Sequence, residues 1–579
     1  MTMLTKWGAA LDRSCPLPEY PRPQLRRESF YNLNGVWDYV VTPSGDEPEV
    51  WDGEIVVPFS PEAPLSGAAR GPAKDEYLHY RRGFTLPEGF QKSRVLLHFG
   101  AVDQIAEVFV NGVSAAKHSG GYWPFSADIT SLLREGENIL RVTVRDNADD
   151  PTFAYGKQRY KRGGMWYTAQ SGIWQTVWLE SVPEVYVKSL RITPEFDEAR
   201  VRIELETALE SSTAITCDVR AADGSFVAGS WAKGGVCIVP LPGFRAWTPD
   251  DPYLYTLDIT CGEDRVESYF AMRKFSYVEL GGHKVFGLNN APLFHNGLLD
   301  QGYYPDGLLT PPSDEAMVND IETMKRCGFN MLRKHIKIEP LRWYYHCDRL
   351  GMIVWQDMVS GGQPYSFLHV SALPTLGKVD LPDQDAKPYG RSGVLSRARF
   401  RREMADTVRL LYNCPCIALW TVFNEGWGQF DALDMANELK KLDPTRFIDH
   451  ASGWQDQGYE EMKSRHIYFR PVKLKNDGRA LALTEYGGYI LAVDGHRWTD
   501  KVFGYRICRN SAALAHDYEK LMLGQVLPHI RKEGLTAAVY TQITDVEEEL
   551  NGLMTYDREV LKIPEETLRE INAALRFDA

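Results

Sequence analysis

The chain has 579 residues, 44% of them hydrophobic and 25% charged, with a formal net charge of −13. That length exceeds what one hydrophobic core serves, so several domains are expected. The acidic balance excludes a nucleic-acid partner, because no basic surplus exists to neutralise phosphates.

The first residues, "MTMLTKWGAALDRSCPLPEY", show no basic segment followed by an apolar run, and no later stretch reaches the length of a membrane span. A cytoplasmic protein without a membrane partner is the expectation. Residues 1–184 then read as short strands: "SRVLLHFGAV", "IAEVFVNGVSAAKH" with the hairpin signal Asn111-Gly112, and "ENILRVTVRDN". This spacing predicts a jelly-roll β-sandwich. The basic piece Lys157 to Arg162 within it reads as a solvated loop. Residues 185–277 repeat the pattern in "RVRIELETAL", "TAITCDVRAADG" and "PYLYTLDITCG", a length that suits an immunoglobulin-like sandwich.

After residue 278 the period changes. Met317, Ile321 and Met324 share one face of a helix over 314–327, followed by the strand "NMLRKHI", the helix "PLRWYYHCDRLG" and the strand "MIVWQD". Helices over 396–412 and 430–441 alternate with strands over 417–424 and 447–452. Strands over 464–469 and 481–486, a helix over 511–532, the strand "TAAVYTQITD" and a helix over 565–577 complete the series. Counting "LFHNGL" near 293 as the first, eight strands predict a (β/α)8 TIM barrel over 278–579, with no helix evident after strand five. The nine cysteines are scattered and odd in number, which is no disulfide framework, and Cys414-Pro415-Cys416 lacks a second ligand pair for a metal.

Functional side chains of such a barrel stand at the carboxyl ends of its strands. Those positions hold Asn296 and Asp300, Arg333 and His335, Asp357, Asn424 and Glu425, His466 and Tyr468, Glu485 and Tyr486, and Asp545. Glu425 and Glu485 end strands four and seven, which face each other across the mouth. Two carboxyls about 5–5.5 Å apart are what retaining glycoside hydrolysis requires: one attacks the anomeric carbon, the other protonates the leaving oxygen. The aromatic content of 12%, with 15 Trp and 29 Tyr, suits sugar rings and large sandwich cores alike.

Several motifs carry a resemblance. "LNGVW" (33–37), "VFVNG" (108–112), "SGIWQTVWLE" (171–180), "WTPDDPYLYTL" (247–257), "LRKHIKIEPLRWYYHCDRLGMIVWQD" (332–357), "LWTVFNEGWG" (419–428) and "LTEYGG" (483–488) occur in that order. Together they make the chain resemble glycoside hydrolase family two, the family of β-galactosidases, β-glucuronidases and β-mannosidases, over nearly its whole length. The resemblance implies Glu425 as general acid/base, Glu485 as nucleophile and Asn424 as the group binding the sugar 2-hydroxyl. It implies Tyr468 as a hydrogen-bond donor to the nucleophile, with Arg333 and His335 beside the non-reducing sugar. Trp427 is expected as a subsite wall, and Asp300, Asp357 and His466 complete the candidate substrate-binding set.

The departures matter as well. No full set of magnesium ligands surrounds the acid/base, so no metal and no cofactor is expected. The family's strand-eight Trp appears as Thr or Gln in "YTQITD", and the Asn-x-Lys triplet that family glucuronidases use for a uronate is missing. The expected activity is a retaining exo-glycosidase acting on terminal β-glycosides, β-galactosides first. A uronidase drawing charge from Lys334, Lys337 or Arg470, or an arabinosidase, is the alternative within the family. A carbohydrate-binding protein without catalysis is the alternative outside it, and two glutamates in intact motifs speak against that. The expected partner is a glycoside or oligosaccharide, with homo-oligomerisation left open.

Overall fold

The computed structural model describes residues 3–51, 53–209, 213–376 and 380–577. Its first unit is a β-sandwich. One sheet has six strands in the order Gly53–Val57, Gly35–Thr42, Tyr77–Thr85, Glu137–Arg145, Ile105–Val110, Val113–Ser119. The other has four, in the order Tyr31–Asn32, Val177–Val182, Arg94–Phe99, Phe125–Asp128. Leu33, Trp37, Tyr80, Val108, Val142 and Leu179 lie between the two sheets. Each such large apolar side chain contributes about 1.5–3 kcal/mol by leaving water.

The second unit is immunoglobulin-like. Val187–Glu195, Arg200–Thr207 and Val236–Pro240 form one sheet, and Phe226–Lys233, Ala214–Arg220, Tyr255–Cys261 and Asp264–Phe270 the other. Tyr255–Cys261 alternates strictly between buried and half-buried residues, the mark of a strand with one face on a core.

The third unit is the barrel. Its parallel strands are His295–Asp300, Met331–Lys334, Ile353–Asp357, Ile417–Thr421, Phe447–Asp449, Met462–Ile467, Ala480–Gly487 and Leu535–Thr541, called strands one to eight below. Hydrogen-bonded ladders run from strand five round through one and eight to strand six, leaving only the five–six seam unladdered. Strands one, two, three, four, five, seven and eight are buried along their whole length, as strands covered on both faces must be. A hairpin, Phe275–Leu280 with His283–Leu288, closes the amino-terminal end, where Phe286 stacks on Phe447 at 4.3 Å.

Helices Asp314–Arg326, Leu341–Leu350, Val394–Leu411 and Ala432–Leu442 follow strands one to four. Ser313 caps the first by accepting from the Ala316 amide. Strands five and six are followed by irregular chain alone. The helix after strand seven, Ser511–Leu521, runs through a π-turn at Met522–Val526 into Leu527–Glu533. Among the described residues no helix is long and apolar enough to cross a membrane.

The first sandwich docks on the barrel mouth. The acidic run after strand eight meets it directly: Thr168 N–H donates to Glu547, Gly164 N–H to Glu548, and Tyr167 Oη–H to Glu549. Tyr155 Oη–H donates to the Gly362 carbonyl in the loop after strand three.

Candidate active site

Arg333 organises the mouth. Fully buried at the end of strand two, it donates from Nε and Nη2 to the two oxygens of Asp357 at 2.9 and 3.1 Å. Its Nη1 reaches Glu485 Oε1 and the Thr484 carbonyl, both at 3.1 Å, and Nη2 reaches Asn424 Oδ1 at 2.9 Å. One planar, permanently charged fork thus fixes side chains from strands three, four and seven. Burial would raise the Asp357 carboxyl, but Arg333 and His335 hold it down at about 2. Burial pushes His335 to about 4, so its imidazole is neutral. His335 Nδ1 lies 2.8 Å from Asp357 and donates there, which leaves Nε2 as an acceptor. Because Asn424 Oδ1 is taken by Arg333, its amide group is oriented and Nδ2 keeps two donors without a partner among the described residues.

The apolar run of strand four ends in a corner. Glu425 sits at φ +53°, a left-handed conformation that costs a non-glycine residue about 1–3 kcal/mol. Two bonds hold it there: its N–H donates to the Ser452 carbonyl, and Trp454 Nε1–H donates to its carbonyl, both at 2.9 Å. The corner aims the carboxyl at strand seven.

There the two glutamates meet. Glu425, His466 and Glu485 place ligand atoms within 4.8 Å of one another. Glu485 receives Arg333 on Oε1 and Tyr468 Oη–H on Oε2 at 2.5 Å, while Tyr468 stacks on Tyr505 at 3.8 Å. Among the described residues Glu425 has no Lys or Arg in direct contact, and His466 Nδ1 lies 2.8 Å from its Oε1. Burial raises both carboxyls. For Glu485 Arg333 and the Tyr468 hydrogen bond oppose burial while Glu425 adds to it, and these two direct donors make Glu485 the better-supported anion. For Glu425 burial is the largest influence, and Lys157, His335 and Arg333 oppose it.

The tautomer of His466 follows from its other side. Burial pushes this imidazole to about 3, so it is neutral and has one proton. Ser452 Oγ lies 3.2 Å from Nε2 and donates its own proton to Thr484 Oγ1, so Nε2–H is the donor toward Ser452. Nδ1 is left as an acceptor facing Glu425, and a protonated Glu425 donates to it.

Other expected residues lie elsewhere. Asp300 accepts from Lys334 Nζ at 2.7 Å and from the Gly302 amide, in a buried network behind the mouth. Lys334 also reaches Glu339, and Lys337 is bound by the Gly302 and Leu309 carbonyls and Glu339. Neither lysine has charge to spare, and Arg470 is exposed. Asn296 pairs with Asn330 low in the barrel, Tyr486 donates to Met522 on its outer side, and Asp545 is held by Lys562. Trp427 is buried, packed edge-to-face on Trp166 at 5.1 Å and tilted on Tyr155 at 5.8 Å. The more exposed Trp166 comes from the sandwich.

Lys157 corrects the sequence reading most sharply. It was expected in a solvated loop, yet it is only 9% exposed, against the mouth, while Lys161 and Arg162 of the same piece are exposed. Glu549, Tyr505 and Trp454 were also missed. They lie past strand ends on irregular chain, where no period marks them. A metal could chemically be offered ligands by Glu425, His466 and Glu485, or by His496, Asp557 and Glu559.

Three family models match the chain: "Glycosyl hydrolases family 2, sugar binding domain" over residues 32–183, "Glycosyl hydrolases family 2" over 185–273, and "Glycosyl hydrolases family 2, TIM barrel domain" over 311–473. A β-galactosidase of Halalkalibacterium halodurans is 23% identical over 78% of this chain and 45% of its own length. This chain therefore spans under half of that relative. A β-glucuronidase of Paenibacillus borealis is 22% identical over 82% of this chain and 85% of its own. Among solved structures, a β-glucuronidase from an uncultured Clostridium sp. superimposes with a TM-score of 0.75 at 19% identity, covering 95% of this chain and 99% of that one.

Proposed function

Since the chain belongs to glycosyl hydrolase family 2, we propose that it is a retaining exo-β-glycosidase releasing a neutral terminal sugar, β-galactosides first. The observation that carries this is the separation of Glu425 and Glu485, whose oxygens come within 4.8 Å. Inversion would need carboxyls about 6.5–9.5 Å apart to admit a water between carboxylate and sugar.

Glu485, ionised between Arg333 and Tyr468, attacks the anomeric carbon. Glu425 gives the proton it shares with His466 to the leaving oxygen. After the aglycone departs, Glu425 takes a proton from water, which attacks the same carbon and frees Glu485. Asn424 Nδ2 and His335 Nε2 supply a donor and an acceptor for sugar hydroxyls. A neutral sugar is favoured because Lys334 and Lys337 are already paired and no Asn-x-Lys triplet exists, which leaves Lys157 of the sandwich, among these three lysines, as the one without a partner among the described residues. A site that must pair a uronate needs a cation left over for it. The names of the Paenibacillus borealis and Clostridium relatives favour a uronide instead.

A panel of nitrophenyl glycosides decides between them. Nitrophenyl β-galactoside, or a neutral relative such as an arabinoside, is expected to exceed nitrophenyl β-glucuronide in kcat/KM, with the β-anomer as first product by NMR. A glucuronide preference overturns the sugar ranking, and a first product of α configuration overturns retention.

A further inference from the structure

We propose that Lys157 of the sandwich and Glu549 of the loop after strand eight form a two-sided clamp on hydroxyl groups of the bound sugar. This rests on the glycosidase reading of the mouth and names what selects the sugar there. Lys157 is 9% exposed, and its ammonium has no hydrogen bond or ion pair among the described residues. Its Nζ lies over the ring of Trp166, 5.5 Å from the ring centre. A lysine whose stem is buried this far while its ammonium has no protein partner keeps three N–H donors for whatever enters the mouth.

The backbone that carries Lys157 is fixed. Its carbonyl accepts from the Tyr167 amide at 3.0 Å, and Gln158–Arg159 pairs in parallel with Tyr167–Thr168. The same Tyr167 donates its hydroxyl to Glu549 Oε2 at 2.5 Å, and Asn551 Nδ2 donates to Oε1 at 3.0 Å. Glu549 is thus oriented as an acceptor by a residue of the strand pair that positions Lys157. No cation lies within 4.0 Å of Glu549 among the described residues, so the two charges are near but not joined. Electrostatics agrees: after burial, Lys157 is the strongest influence on Glu425, and it also acts on Glu549 and His335.

Three unused N–H donors and a nearby carboxylate with free lone pairs match adjacent hydroxyls, which donate to the carboxylate and accept from the ammonium. A carboxylate-bearing sugar fits less well. Glu425, Glu485 and Glu549 all stand around the mouth, so a further carboxylate meets like charge there.

The test uses Lys157→Met and Glu549→Gln in the full chain. On the best neutral nitrophenyl glycoside each is expected to lose on the order of a hundredfold in kcat/KM. On the monodeoxy glycoside that lacks the clamped hydroxyl, the loss should shrink to within about threefold of wild type. Lys157→Arg should recover part of the rate, which separates lost contact from lost fold. Binding of the free sugar to Glu485→Gln, followed by tryptophan fluorescence, should weaken when Lys157→Met is added, whether or not turnover is ever seen. Equal losses on every deoxy analogue would overturn the clamp, since Lys157 would then act through the charge of Glu425. Selective loss of glucuronide turnover in Lys157→Met would overturn it too, by making Lys157 a carboxylate receptor.

Discussion

Glu425 and Glu485 have the same side chain and opposite surroundings, and their variants should differ accordingly. Glu485→Gln keeps the shape but cannot form a glycosyl ester, so kcat should fall by about four orders of magnitude or more on every glycoside. Azide should partly rescue Glu485→Ala and give the α-glycosyl azide; near-wild-type turnover of Glu485→Gln would remove the residue from the role. Glu425→Ala should slow natural disaccharides far more than dinitrophenyl glycosides, whose leaving group needs no proton. Equal losses on both would make Glu425 structural. The kcat/KM profile should be bell-shaped, falling at low pH as Glu485 gains a proton and at high pH as Glu425 loses one. Since His466 Nδ1 accepts from protonated Glu425, that bond raises the Glu425 pKa. His466→Phe, which keeps the site dry, should move the alkaline limb to lower pH. Movement to higher pH would mean that His466 donates instead. At this scale both glutamates were legible, because each ends a strand inside a short motif. Lys157 was not, because a lysine in a polar loop looks the same whether water or another domain lies beside it.

Single elements show where a period helps and where it fails. Alternation of strand and helix was readable from 314 to 442 because each helix buries one stripe against a strand. The chain after strands five and six has no stripe, and none formed. The expected strand over 447–452 stops at Asp449, and Ser452 instead forms an isolated parallel bridge with Asn424, just past the end of neighbouring strand four. Gly453 follows at φ +96°, where a Cβ would come within 2.6 Å of Cγ and Nδ1 of His466. Gly453→Ala must therefore move the ring or the loop. Activity on a poor leaving group should drop more than tenfold, with the left-handed backbone adding about 1 kcal/mol of instability. Unchanged kcat/KM on the disaccharide would show that His466 has freedom the packing denies.

For the molecule as a whole, pH acts through carboxyls that folding removes from water. Burial raises Asp103 to about 7, and Asp146 is raised by burial and by Asp103. Both lie in the first sandwich. The folded state holds their protons more tightly than the unfolded chain does. The stability they contribute is therefore present below about pH 4 and lost as pH rises through about 7. Melting temperature should decline across that window, and Asp103→Asn should flatten the decline; an equally steep fall in the variant would place the cause elsewhere. The three-unit architecture was legible from strand spacing, but the way the units share a site was not, since no local pattern records which surface a loop will meet. That sharing has a kinetic consequence. The chemistry belongs to the barrel, while Lys157 and Tyr167 arrive with the sandwich, and the acidic run Glu547–Glu549 meets them only after docking. During refolding, tryptophans inside the barrel strands, Trp355 and Trp420, can regain their native emission before the units join. Discrimination among sugars can return only afterwards, so selectivity serves as a clock for assembly.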